Sequence, residues 1–363
     1  MNDYTKAVGL RNPQDHDLFV GLDVDKSSIA VTLRDRLGFG KSLKMPYDSG
    51  MLLGFIENHF PGRRVLFAYE AGPTGFGLYD DIIAGGNDCI VVSPGSIAQA
   101  PNKRVKTNRL DSVKLAELLR GDQLRGIRVP TKEYRSLRSL VHLRYTYMQQ
   151  IRACKCQIKA LLLIDGIKFP PAPRGSGWSG LVVKSLRGLD CPVVTGVIIN
   201  SRLDHLEHLV KQLGLAEASL RSFIKGSEDL SRCMEYLQSC PGIGFRIACY
   251  TLARMGDWHC FGRSGEAGAF FGLVPTENST GDTTDRGSIT KLGDPRLRSM
   301  LIQGAWMAIR RDPELKEFYQ RVYASHNHKV AARVAIVAAA RKLAERMHCV
   351  LREQRSYDSR QVA

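Results

Sequence analysis

Long apolar runs are missing from this 363-residue chain, and with them any segment of the length needed to span a bilayer. The opening stretch MNDYTKAVGLRNPQDHD is polar and carries acids, which excludes a secretory signal and predicts a cytoplasmic protein. Zinc-ligand spacing is missing too. Nine cysteines, at 89, 154, 156, 191, 233, 240, 249, 260 and 349, form no CxxC pair and no His–Cys grouping with zinc spacing. Their odd number, mostly inside apolar segments, reads as reduced core thiols. There is no internal repeat and no low-complexity tract. Acid is in short supply: 36 Asp and Glu face 52 Lys and Arg, a formal charge of +16. Such an excess favours a polyanionic partner, because each neutralised phosphate releases counterions.

What is present divides into three stretches. DLFVGLDVDKSSIAVTLRD at 17–35 predicts two strands, FVGLDV and IAVTL, with a turn at Lys26–Ser28. A short helix follows over 50–60, a buried strand RRVLFAYE ending at Glu70, a helix over 76–83, a strand CIVVS at 89–93 and a helix over 110–120. Strands alternating with helices predict an α/β domain over 16–130. From 131 to 236 the pattern changes to an amphipathic seam at Leu137, Leu140, Tyr147, Ile151, Cys154, Ile158 and Leu161, broken once at Arg144. The loop GIKFPPAPRGSGWSG at 166–180 interrupts it, and Leu203, Leu206, Val210, Leu213, Leu220 and Ile224 form a second seam. Two such helices predict an antiparallel, coiled-coil-like arm, on which Arg135, Arg138, Arg152, Lys155 and Lys159 offer one face to phosphates. Residues 237–355 form a third, mainly α unit, ending in AARVAIVAAARKLAERMHCVLRE.

Asp23 lies within an apolar strand, where an ionised carboxylate is costly unless paired or metal-bound. Glu70 closes a second apolar strand and Asp111 opens a helix. Each has a plain structural reading: Asp23 as a turn cap, Glu70 as a surface acid, Asn108 and Asp111 as an N-cap with an acid in the first turn. Together they supply the hard oxygen donors by which nucleases hold Mg²⁺ for phosphoryl transfer.

GLDVDK at 21–26, FAYEAGPTG at 67–75 and KTNRLDSVKLAELL at 106–119 resemble the RuvC-like domain of the insertion-sequence-110 family of DEDD transposases. CPGIGFRIACYTLARMGD at 240–257 and FFGLVPTENSTGDTTDRGSITKLGDPRLRSMLIQGAW at 270–306 resemble that family's C-terminal transposase domain. The resemblance implies an RNase H/RuvC-like N-terminal fold and a DNA recombinase using Mg²⁺ or Mn²⁺. It also implies donor and target double-stranded DNA, a structured noncoding guide RNA, and a homodimer or homotetramer at the bacterial nucleoid, without a membrane. The family's acidic tetrad falls on Asp23, Glu70, Asn108 and Asp111; Asn108 departs from the usual Asp, which removes one charge from the metal site, and Asp25 is a nearby substitute on the same strand face by period two. The implied nucleophile is Ser279, with Thr280 the alternative, although locally the segment reads as a Ser/Thr–Gly turn. Arg286, Lys291, Arg296 and Arg298, together with the Gly242 and Gly244 amides of a helix-hairpin-helix-like turn, are candidate nucleic-acid contacts. The same glycines also suit tight helix packing.

Two other functions fit parts of the chain. GLDVDKSSIAV also looks like the first phosphate loop of actin-like ATPases and sugar kinases, but the later strand-borne Asp with a glycine run is missing. A nucleic-acid-binding homologue without full catalysis is the other, and Asn108 is the residue that favours it.

Overall fold

The computed structural model describes residues 13–97, 107–171, 177–278 and 286–358. The chain divides into two units, residues 1–129 and 130–363.

In the first unit, β1 (Leu18–Val24) and β2 (Ser28–Asp35) form an antiparallel hairpin. The strands β3 (Ser42–Pro46), β4 (Val65–Glu70) and β5 (Asp88–Val92) complete one five-stranded sheet of order β3-β2-β1-β4-β5. β3 is antiparallel to β2, whereas β4 runs parallel to β1 and β5 parallel to β4. Alternation along the strands splits their side chains between two faces. On one, Leu18, Val20, Leu22, Phe67 and Tyr69 pack with Leu52 and Ile56 of α1 (Ser49–His59) and Leu78 and Ile82 of α2 (Gly77–Ala84). On the other, Phe19, Leu66, Ala68, Ile90 and Val92 meet Leu115 and Leu119 of α3 (Asn108–Arg120). The helices begin where capping chemistry places them. Asp48 accepts from the Met51 amide to start α1, and Thr107 from the Leu110 amide to start α3.

The second unit opens on two 33-residue helices, α4 (Lys132–Ile164) and α6 (Val193–Lys225), with the short α5 (Gly180–Arg187) between them. They run antiparallel: Thr195 donates to Asp165 at one end, the Cys154 thiol to the Arg202 carbonyl midway, and Arg144 pairs with Glu217 near the other. Arg144, which interrupts the apolar seam in the sequence, is buried, and its Nε lies 2.8 Å from Glu217. An unpaired guanidinium there would be prohibitive, so the helix pair is keyed by an ion pair at that level. Ile151, Ile158, Leu203 and Leu206 belong to a core of the distal half, while Leu137, Val141, Leu220 and Ile224 join the core of the C-terminal helices.

That C-terminal core contains α7 (Glu228–Ser239), α8 (Phe245–Met255), α9 (Ser264–Phe270), α10 (Pro295–Ala308), α11 (Pro313–Ala324) and α12 (His328–Arg352). Ala331, Ala335, Ala339, Ala340 and Ala344 are buried on α12, and such small side chains let neighbouring helices approach closely. Its other end is held by charge. Arg346 is buried between Asp312 (2.6 Å) and Glu314 (2.9 Å), and the hydroxyl of Tyr357 also bonds Asp312. Through Tyr357, whose backbone amide donates to the Ser239 hydroxyl, the tail after α12 is tied to the end of α7.

The nine cysteines are free thiols; five are buried, Cys156 is exposed, and burial pushes Cys240 and Cys249 up to about 12. Among the described residues no helix is long and apolar enough to cross a membrane.

Removing Arg346 leaves Asp312 charged and buried. Arg346→Met is therefore expected to destabilise the second unit by about 3–5 kcal/mol in chemical denaturation. An unchanged midpoint would show that the network adds nothing.

Candidate functional site

The acidic residues of the first unit converge through backbone geometry. Asp23 is the penultimate residue of β1 and shares a face with Phe19 and Gly21. The parallel register sets Leu22 beside Tyr69, so one step further Asp23 stands beside Glu70, the last residue of β4. Both are half-buried. Adjacent strands lie about 4.8 Å apart, and paired residues point to the same side.

Helix α3 covers this face, and it does so because residue 21 has no side chain. A Cβ at Gly21 would sit 2.2 Å from the Ser112 carbonyl oxygen and 2.4 Å from the Ala116 amide nitrogen. The helix backbone thus rests directly on β1. Two side-chain contacts fix its direction. Ser112 Oγ lies 2.9 Å from Oγ1 of Thr32, the register partner of Gly21, and Arg34, the partner of Phe19, pairs with Glu117 at 2.7 Å. The helix therefore runs antiparallel to β1. Going back from Ser112 to Asn108 advances about 6 Å along a helix, and going from Gly21 to Asp23 about 6.6 Å along a strand. The first turn of α3, with Asn108 and Asp111, thereby reaches the level of Asp23 and Glu70.

Within that turn Thr107, not Asn108, is the N-cap. The capping role considered for Asn108 is taken by its neighbour, and Asn108 is exposed at the first helical position while Asp111 is half-buried. Asp25 does not continue the acidic face: β1 ends at Val24, and Asp25 is exposed in the hairpin turn, where its carboxylate accepts from the Lys26 amide. Among the described residues no three His, Cys, Asp or Glu side chains are gathered closely enough to hold a metal ion. The fold brings the donors to one end of one sheet face; their side chains are not drawn into a cage.

In the second unit, Ser279 and Thr280 lie outside the described residues. What flanks them is a two-stranded ribbon, β6 (Pro275–Glu277) and β7 (Arg286–Ile289), paired antiparallel with Pro275 opposite Ile289 and Glu277 opposite Arg286. Close backbone contacts hold its base. Gly272 and Gly293 both have positive φ, and a Cβ on either would lie within 2.3 Å of a carbonyl oxygen, of Leu292 and Phe270 respectively. Arg298 reinforces the junction, donating from Nη1 to the carbonyls of Phe271 (3.1 Å) and Leu292 (2.7 Å). Lys291 is exposed just beyond β7. Arg296 stacks on the Tyr145 ring, its guanidinium carbon 3.4 Å from the centroid.

The turn between α7 and α8 separates its two glycines. Gly242, at φ 79°, abuts α10, where a Cβ would come 2.2 Å from the Gly304 carbonyl oxygen, so packing accounts for it. Gly244 is exposed and its surroundings are open. Sequence reasoning passed over Gly21, although a glycine two residues before a strand-borne Asp is a readable sign of close approach on the same face. It also passed over Arg254, whose guanidinium pairs with Asp294, the N-cap of α10. Burial alone would raise the Asp294 carboxyl, but the Arg296 amide and the Arg254 charge hold it below its ordinary value. A depressed carboxylate stabilises the fold above its unfolded pKa, and that contribution fades as pH falls through the folded value.

The first unit thus carries acids at one end of a sheet face, and the unit that follows it in sequence carries a two-stranded ribbon among helices. Residues 234–320 match the family model described as Transposase IS116/IS110/IS902 family, and residues 20–164 match a transposase model for the DEDD proteins of the IS110 type. Two Sinorhizobium fredii proteins are similar to the chain. "Putative transposase y4qE" is 31% identical over 80% of this chain and 71% of its own length, and "Putative transposase y4rJ" is 26% identical over 90% and 89%. The transposase for insertion sequence element IS1111A of Coxiella burnetii is 27% identical over 57% and 56%. The chain belongs to the IS110 family of insertion-sequence transposases, enzymes that cut and recombine DNA. That membership sets aside the ATPase and sugar-kinase reading.

Gly21→Ala is expected to force α3 off the sheet. The substitution should cost about 1–3 kcal/mol in stability and reduce transposition far more than that loss of folded protein explains. Wild-type melting and activity would show that the close approach does not position the acidic edge.

Proposed function

We propose that the chain exchanges DNA strands through a covalent serine–DNA intermediate, with Asp23, Glu70 and Asp111 holding divalent metal and Asn108 adding a carbonyl oxygen. The sheet order, antiparallel in β1–β3 and parallel from β1 to β5, supports an RNase H/RuvC-like domain. The observation that carries the reading is the convergence of Asp23, Glu70 and the first turn of α3 on one end of one sheet face. The donor set fits Mg²⁺ or Mn²⁺: all ligands are hard oxygens, and two carboxylates on neighbouring strands offer a divalent cation charged donors from two sides. When bound, such a cation lowers the cost of the negative charge that develops on phosphate oxygens.

The protein's own groups divide the remaining work. Asp23 and Glu70, fixed by strand register, define where charge is compensated, and Asp111 is aimed by the docking of α3. Ser279, on the segment joining β6 to β7, attacks phosphorus: its Oγ–P bond forms while a backbone P–O bond breaks. The hydroxyl proton leaves to a base and the departing nucleoside oxygen takes one up. Thr280 is the alternative nucleophile. Arg286, Lys291, Arg296 and the amide of Gly244 hold backbone phosphates, while Arg298 acts by bracing the ribbon. Guidance by a structured RNA and assembly as a dimer or tetramer at the nucleoid complete the reading; the charge of +16 supports polyanionic partners of both kinds. A nucleic-acid-binding protein of reduced catalysis is the second reading, favoured by Asn108.

The deciding experiment mixes purified protein with element-flanking RNA, donor and target DNA, and Mg²⁺, and looks for a covalent protein–DNA adduct. Wild type should form it and Ser279→Ala should not; an adduct that survives the substitution refutes the serine mechanism. Asn108→Asp restores a fourth carboxylate, so half-maximal adduct should require severalfold less Mg²⁺. An unchanged requirement would remove residue 108 from the metal site.

A further inference from the structure

On the second unit, α4, α8 and α10 enclose a cleft of about 490 Å³, lined among others by Arg138, His142, Thr146, Tyr250, Arg254 and Arg296. Three guanidinium groups from three helices meet there, and no acid is among the described residues that line the cleft. Arg254 is paired with the Asp294 carboxylate, which compensates one of these charges.

Each arginine is held in place. Arg138 Nε donates to the Ala253 carbonyl at 2.5 Å and its Nη2 to that of Arg254 at 3.3 Å, gripping the last turn of α8. Arg254 pairs with the Asp294 cap, and Arg296 lies flat on Tyr145. A guanidinium carries five N–H donors in a fixed fork. Arg254 spends one nitrogen on its ion pair, and the ring contact of Arg296 is made by its flat face, which leaves the in-plane donors to point elsewhere. The Thr146 and Ser139 hydroxyls do not compete for this role, since Thr146 donates back to the His142 carbonyl and Ser139 to that of Arg135. Planar donors fixed in advance, and a described lining that carries cations without acids, are what an anionic tetrahedral oxygen cluster requires. By contrast, the cleft between α5 and α6 contains Glu207, and its Arg187 is already bonded to Asp204 and Glu207.

We propose that the cleft formed by Arg138, Arg254 and Arg296 seats a phosphodiester group of a nucleic-acid backbone, independent of sequence. This rests on the reading that the chain acts on nucleic acid, and it gives that reading an anchoring point. The anchor is joined to the ribbon through a short, glycine-stapled connection: Asp294 and Arg296 begin α10, which follows β7 directly. A strand held there is fixed on the same rigid junction from which the ribbon projects.

The phosphate can belong to duplex DNA or to RNA, and the test separates the two. The full-length protein is titrated by fluorescence anisotropy into a random-sequence DNA duplex and a random-sequence single-stranded RNA over a range of salt. The variants are Arg296→Gln, which removes a half-exposed cation, and His142→Glu, which places an acid at an exposed lining position. Binding should weaken equally for unrelated sequences. For Arg296→Gln the log–log salt slope should become shallower by about 0.9 if the lost contact was on duplex DNA, or about 0.7 on a single strand. The probe that changes identifies the source. Arg296→Lys, keeping the charge, should retain most of the slope. Wild-type binding with affinities and slopes unchanged in both folded variants overturns the cleft assignment. Ser279→Ala should bind both probes normally, so failure to form an adduct counts against the serine chemistry and leaves the cleft untouched.

Discussion

A helix backbone lying directly on a strand is the constraint on which the first unit depends. Gly21 leaves no room for even a methyl group beneath Ser112 and Ala116, and this contact sets the height and direction of α3. The Ser112–Thr32 bond and the Arg34–Glu117 pair then remove the freedom to slide or rotate. The placement of Asn108 and Asp111 follows from where that contact leaves the first turn of the helix. The acids themselves contribute little to assembling the site. They are placed by apolar packing, by strand register and by a missing side chain.

The second unit uses the same device in other places. Gly242 against Gly304, Gly272 against Leu292 and Gly293 against Phe270 are all backbone-to-backbone approaches, and the buried alanines of α12 continue the theme. Arginine supplies the complementary element. Arg144, Arg298 and Arg346 are structural ties that bind carboxylates or carbonyls within the fold. The large positive charge of the chain is therefore not simply a nucleic-acid-binding surface. Part of it holds helices together within the fold.

Much of this architecture was readable in the linear pattern. The strands β1, β2, β4 and β5 and the long helices α4 and α6 follow from period-two and three-to-four spacing in runs long enough to be unambiguous. β3 was not foreseen, because an edge strand with Met45 as its one buried residue carries almost no apolar alternation. The start of α3 shifted to Asn108 because Thr107 competes for the cap, and two adjacent capping residues are hard to rank by sequence. Asp25 shows the limit of period-two reasoning, which holds only while the strand continues. The break in the α4 seam at Arg144 looked like a defect and proved to be a buried ion pair, since Glu217 lies 73 residues away.

By itself the sequence determined which residue types could do chemistry, where most elements run, and the family to which the chain belongs, because these rest on local spacing and on motifs preserved in order. Only the tertiary structure decided which residues share a face and which charges are spent inside the fold. That Asp23 stands beside Glu70 is a fact of strand register. The joining of Arg138, Arg254 and Arg296 in one cleft is a fact of helix packing. Both depend on contacts between segments far apart in the chain, whose geometry is fixed by close packing rather than by any local preference.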